Sequence, residues 1–169
     1  MKALVDHEAL KLVNVDPVLD EIDPYGGQML SLRRADKSPR TTIRAGDIYI
    51  VPKRDRVIVG ATVEPGVVRD TSDVGIIAEL LKRAARICPD LADHDVLETW
   101  AGVRPGTDTH APIMGQSAAD GLFVASGHYR NGILLAPLTA KMMVDLILDG
   151  EASDLARAFW PSNYIAPVV

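Results

Sequence analysis

Short apolar runs alternate along the chain with stretches whose apolar residues recur at helical spacing. Residues 28–33 read as a strand, and the β-branched runs at 48–51 and 57–62 read as a hairpin joined by Pro52-Lys53-Arg54-Asp55-Arg56. Pro52 at its margin suits a strand end. Ile77, Leu80, Leu81, Ala84 and Cys88 repeat at helical spacing, with Glu79, Lys82, Arg83 and Arg86 on the wet side. Thr71-Ser72-Asp73 offers the N-cap of that helix, and Pro89 closes it. A strand carrying Trp100 is expected over 96–104, and the loop 107–120 shows no strong pattern. A last strand over 122–126 leads into an apolar helix over 133–148 that Gly150 ends, with Pro137 near its first turn. A short helix over 152–160 stops at Pro161. The charged run 34–40 is a solvated loop, and residues 1–24 form a loosely packed acidic arm.

These elements make an α+β protein: a mostly antiparallel sheet covered by helices, followed by a terminal strand-helix pair. The domain division expected is an arm over 1–24, a main domain over 25–120 and the strand-helix segment over 121–169. At 169 residues the chain can bury one real core. A net charge of −5 argues against nucleic-acid binding. The single cysteine, Cys88, excludes an internal disulfide and fits the reducing cytoplasm; it reads as a structural thiol. The N-terminus turns charged before an apolar region develops, so no signal peptide is expected. The stretch 133–148 is broken by Pro137, Lys141 and Asp145 and is too short to span a bilayer, so no membrane partner is expected. The four histidines lack ligand spacing, and no metal site is expected.

The candidate chemistry sits at Gly127-His128-Tyr129-Arg130-Asn131-Gly132-Ile133-Leu134-Leu135-Ala136-Pro137. A strand enters a glycine elbow there and leaves as a helix, which sets unpaired N–H groups and the positive end of the helix dipole beside Arg130 and Asn131. Such an end suits a phosphate, a carboxylate or the anionic pyrimidine edge of a reduced flavin. Asn-Gly is also an ordinary turn dipeptide.

That elbow, with Tyr49-Ile50-Val51-Pro52 leading to Val59-Gly60-Ala61-Thr62, and with Trp100-Ala101-Gly102-Val103-Arg104-Pro105-Gly106-Thr107, resembles the glycine oxidase (thiamine-biosynthesis oxidase) branch of the FAD-dependent D-amino-acid oxidase family. Gly27-Gln28-Met29-Leu30 is similar to the strand entering that family's substrate domain. The resemblance covers about residues 25–165; the first two dozen do not match well. The Gly-x-Gly-x-x-Gly turn that holds the FAD pyrophosphate in such enzymes is absent from the sequence. The resemblance therefore implies the C-terminal, substrate-domain half of a flavoenzyme. It also implies a truncated, split or remnant gene product.

From the resemblance follow roles for particular residues. Arg104 would bind the substrate carboxylate, with Val103 replacing the commoner leucine before it; Tyr49 would assist, and Arg130 would lie by both flavin and substrate. His128, Tyr129, Arg130, Asn131, Gly132, Ile133 and Leu134 would contact the isoalloxazine of FAD, with His128 positioning and not acting as a base. No side chain would act as a catalytic acid or base, because hydride leaves from a neutral amine. The implied reaction takes glycine or a small amine or D-amino acid to an oxo acid, ammonia and hydrogen peroxide. The FAD-binding half would come from a separate chain or from upstream sequence, and the isolated chain would be inactive, would not retain FAD and would self-associate. The alternatives are a non-catalytic remnant without flavin, or a small carboxylate-binding module built on Arg104 and Tyr49.

Overall fold

The computed structural model describes residues 16–164. Among the described residues there are eight strands: β1 Asp23–Arg33, β2 Ile43–Ala45, β3 Ile48–Pro52, β4 Arg56–Gly60, β5 Glu64–Pro65, β6 Val96–Gly106, β7 Ile113–Gln116 and β8 Phe123–Ser126. The principal helices are α1 Val74–Ile87, α2 Gly132–Val144 and the short α3 Asp154–Arg157. The first six strands form one sheet in the order β2-β3-β4-β1-β5, with β6 also paired to β1; β7 and β8 form a separate two-stranded sheet. The chain divides into two compact units, residues 25–103 and the remainder, with the boundary inside β6 between Val103 and Arg104.

In the first unit the hairpin stands where it was expected, with Tyr49 opposite Gly60 and Ile50 opposite Val59 in antiparallel register. Side chains alternate across a strand, so Leu30, Leu32, Ile48, Ile50, Val57 and Val59 share one buried face. Leu80 and Ala84 of α1 and Leu91 of the following turn close the core over it. Asp73 caps α1, its Oδ1 accepting from the Gly75 N–H at 2.8 Å.

Gln28 lies two residues before Leu30, on the same face, and is fully buried. Its Oε1 accepts from the Asp73 N–H at 2.6 Å. Its Nε2 donates to Glu64 Oε1 at 3.1 Å, and its N–H donates to Thr62 Oγ1 at 2.8 Å. The Thr62 hydroxyl in turn donates to Glu64 Oε1 at 2.6 Å. A buried amide is tolerated only when donor and acceptor are both satisfied. This one ties the head of α1 and the turn after β4 to β1.

The second unit differs from expectation in four places. Residues 16–22 are not loose: Asp16 and Val18 are buried, and Asp16 Oδ1 accepts from Val18 N–H at 2.9 Å while Oδ2 accepts from Ala118 N–H at 2.8 Å. Those N–H donors, the Val18 one first, hold the carboxyl below the usual carboxylate range despite its burial. The rest of the expected arm, residues 1–15, lies outside the described residues.

The loop 107–120 contains β7, whose Ile113 pairs with Ser126 and Gln116 with Phe123 of β8. Gly115 has φ 146°, and a Cβ there would lie 3.0 Å from the Trp160 ring and 2.9 Å from Pro161 Cδ. The glycine that weakens the strand signal is therefore required by close packing.

Pro137 stands in the second turn of α2, not the first. Finally, the apolar stretch is part of a longer helical run, Tyr129–Asp149, of 21 residues and mean hydropathy 1.4, which meets the length and composition of a membrane span. The segment Asp145–Asp149 continues α2 as a π-helical turn, and Gly150, at φ 70°, ends it.

Much of that run is uncovered: Ile133 is 96% exposed, Leu134 78% and Leu148 75%. Lys141 and Asp145 lie along it as an ion pair with N···O 2.6 Å. Such charges are costly within lipid and ordinary beside a protein partner. Inward, Met142 packs with Met114 and Ala156, while Val18, Ile113 and Val124 form a second small cluster.

Candidate functional site

Tyr49 belongs to the first unit. Its neighbours Ile48 and Ile50 point into the core, so its own side chain lies on the sheet face turned away from α1. Its hydroxyl donates to Met29 Sδ at 3.6 Å. A Cβ at Gly60 would stand 2.8 Å from the phenol oxygen, so the ring lies directly over that glycine. Gly60→Ala should cost about 1–3 kcal/mol of unfolding free energy through displacement of the ring. The cost should vanish in a Tyr49→Ala background, measured as a double-mutant cycle in urea. A penalty that persists without the ring would place the strain in the backbone instead.

The other candidates lie in the second unit. Arg104 is half-buried near the end of β6, three residues before Thr107, which is almost wholly buried. Thr107 Oγ1 donates to Ala111 O at 2.8 Å and closes the following turn. Gly127, at φ 76°, opens the elbow; a Cβ there would lie 3.0 Å from Thr107 Cγ2 and 3.4 Å from the Ile113 N. The segment that carries Arg104 and the elbow that carries Arg130 are thus joined through the contact of Thr107 with Gly127.

After Gly127 the chain makes a 3₁₀ turn over Tyr129–Asn131 and enters α2 at Gly132. Asn131 stands at the N-cap without a side-chain capping bond, so its side chain does not occupy the positive end of α2. Arg130 is exposed beside that end. The adjoining hollow, about 180 Å³, is apolar and lined by Pro112, Met114, Leu135, Leu138, Met142 and Phe159 among others.

His128 is partly buried, and its Nε2 lies 2.9 Å from Thr139 Oγ1 in the body of α2. Burial holds the imidazole below its ordinary value of 6.5. The folded chain therefore binds this proton less readily than the unfolded chain. This group leaves stability untouched well above pH 6.5 and lowers it as pH falls from about 6.5 toward the depressed folded value. His128→Gln keeps a partner for Thr139 and should flatten the melting-temperature profile as pH falls below about 6.5. An unaltered slope would contradict the burial argument.

Sequence reasoning passed over Thr107 and His110. A threonine in a Pro-Gly-Thr turn carries no distinctive signal, and the importance of both appears only when the turn meets the elbow.

A profile of the FAD dependent oxidoreductase family matches residues 6–146. The chain belongs to that family. The match starts well ahead of residue 25, so the N-terminal segment is part of the family likeness, contrary to the reading from motifs. The bifunctional protein ThiO/ThiG of Synechocystis sp. is 43% identical over 148 residues, covering 84% of this chain and 23% of that protein. The glycine oxidase of Geobacillus kaustophilus is 41% identical over 137 residues, 79% of this chain and 36% of that protein. The crystal structure of glycine oxidase from Geobacillus kaustophilus superposes with a TM-score of 0.79 at 38% identity, covering 86% of this chain and 40% of that one. The chain resembles glycine oxidase and spans only part of these relatives, from 23% of the length of the first to 40% of the solved structure.

Proposed function

We propose that the chain is the substrate-side portion of a cytoplasmic FAD-dependent glycine or small-amine oxidase. In this reading it works against a partner that supplies the FAD-binding portion. The observation that carries the reading is the elbow: the N-terminal end of α2, with no side-chain cap bond from Asn131, beside an exposed Arg130, on a segment packed against the turn that follows Arg104. This donor set fits the pyrimidine edge of a flavin, where negative charge gathers on reduction. It does not extend to the pyrophosphate, since no Gly-x-Gly-x-x-Gly turn occurs in the sequence.

When bound, FAD supplies the two-electron acceptor. The protein's own residues bind and orient. The Arg104 guanidinium grips the substrate carboxylate with two parallel N–H donors; for Tyr49 an assisting role rests on the resemblance alone. Arg130 and the N-terminal end of α2, Gly132 to Leu134, would offer positive potential to the flavin, with His128, Tyr129 and Asn131 shaping the elbow. No side-chain base is needed if the substrate enters with its amine neutral.

The exposed face of α2 is the surface for the partner portion, and in its absence a second copy occupies it. The domain division in this reading is a substrate domain over 25–120 and a flavin-side segment over 121–169.

Purified alone, the chain should hold no stoichiometric FAD; co-expressed with the FAD-binding portion of a glycine oxidase, it should copurify with about one flavin per complex. A flavin spectrum at full occupancy on the isolated chain would overturn the division of labour. Failure of the two portions to hold flavin together would overturn the partnership.

A further inference from the structure

Two non-glycine residues of the second unit adopt the left-handed backbone region: His110 at φ 57° and Tyr129 at φ 50°. Histidine tolerates that region better than most residues, and tyrosine does not. Such a conformation persists only where the surroundings over-determine it. The two residues are far apart in sequence, yet their rings lie face to face, with centroids 4.3 Å apart and planes within 12°.

The histidine is itself anchored. Its Nδ1 lies 3.1 Å from Thr107 O, and a carbonyl oxygen only accepts, so Nδ1 carries the proton and the ring plane is set by the backbone. Thr107 is fixed in turn by its hydroxyl bond to Ala111 O at 2.8 Å and by its contact with Gly127. A rigid path therefore runs from the Thr107 turn through the His110 imidazole to the Tyr129 ring. The next residue is Arg130, followed by the N-cap Asn131 and the first amides of α2.

We propose that His110 is a positioning residue: by stacking on Tyr129 it holds the elbow in its left-handed turn and so sets the direction in which Arg130 and the first amides of α2 are presented. The consequence for turnover rests on the reading that this elbow faces flavin and substrate. His110 touches neither in this account and acts through Tyr129. Stacking of near-parallel rings has a preferred geometry, which a small or aliphatic side chain at position 110 cannot supply.

The test is hydrogen exchange of the Asn131 amide, which donates to His128 O at 2.9 Å across the elbow, in the full chain, compared with His110→Gly and His110→Phe. Glycine is at ease at φ 57°, so His110→Gly removes the ring without threatening the fold. Exchange should rise about tenfold or more in His110→Gly and return to within about twofold of the parent in His110→Phe, which restores a flat ring. Equal exchange in the parent and His110→Gly would overturn the proposal, as would exchange in His110→Phe as fast as in His110→Gly.

A second arm uses the chain joined by the FAD-binding portion of a glycine oxidase. There, His110→Gly should raise KM for glycine severalfold and His110→Phe should restore it. Faster exchange with KM and flavin affinity both unmoved would make His110 a fold residue only and overturn its positioning role. Failure of the reading on which it rests would show separately, as Arg130→Ala leaving both flavin affinity and turnover intact.

Discussion

Replacing Arg104 with alanine should raise the apparent KM for glycine at least about tenfold in the complemented enzyme, with flavin content nearly unchanged. A charge-assisted contact to a carboxylate is worth roughly 1.5–3 kcal/mol, and each 1.4 kcal/mol is about a factor of ten. Arg104→Lys should recover only part of the loss, since an ammonium cannot offer two parallel donors in one plane. Arg130→Ala should disturb flavin affinity and turnover together, because Arg130 stands at the positive N-terminal end of α2. Steady-state kinetics and flavin absorbance on the three variants separate these roles. If Arg104→Ala left KM and kcat alone while Arg130→Ala removed only substrate binding, the carboxylate grip would pass to Arg130.

The second large effect concerns α2. In isolation the chain should self-associate through the helix face that exposes Ile133, Leu134, Leu138, Val144, Ile147 and Leu148. An uncovered face of this kind marks a protein contact, and Lys141 and Asp145 along it argue against lipid. The pair Val144→Glu and Leu148→Glu lies one turn apart on exposed positions, so the fold should survive the change. Light scattering should then report a monomer where the parent chain gives a larger, concentration-dependent mass. The same pair should weaken assembly with the FAD-binding portion. A parent chain that is cleanly monomeric at all concentrations would contradict this use of the face.

How much of this was legible in the sequence depended on whether local pattern or distant packing set each feature. The hairpin of β3 and β4 and the capped helix α1 carry their own signals, in β-branched runs and in Asp73 followed by periodic leucines. The elbow was legible because strand, glycine and apolar helix follow one another in the chain. β7 was not: Gly115 and Pro112 mask it, and the glycine is explained only by Trp160 and Pro161 packed against it.

Gln28 gave no sign of its burial, because an amide in a strand acquires meaning only when Thr62, Glu64 and Asp73 arrive to satisfy it. The left-handed turns at His110 and Tyr129 were equally hidden, since neither residue type announces φ > 0. Pro137, expected near the first turn of a helix starting at 133, falls in the second turn of α2, which begins one residue earlier at Gly132.

The central claim is that this chain completes a glycine oxidase from its substrate side. It is tested most directly by glycine-dependent hydrogen peroxide production when the full chain is combined with the FAD-binding portion of a glycine oxidase. The account predicts peroxide only when both portions and glycine are present, and a fall of at least about tenfold in kcat/KM with Arg104→Ala. A flavin-loaded complex that produced no peroxide with glycine or any small amine or D-amino acid would contradict it.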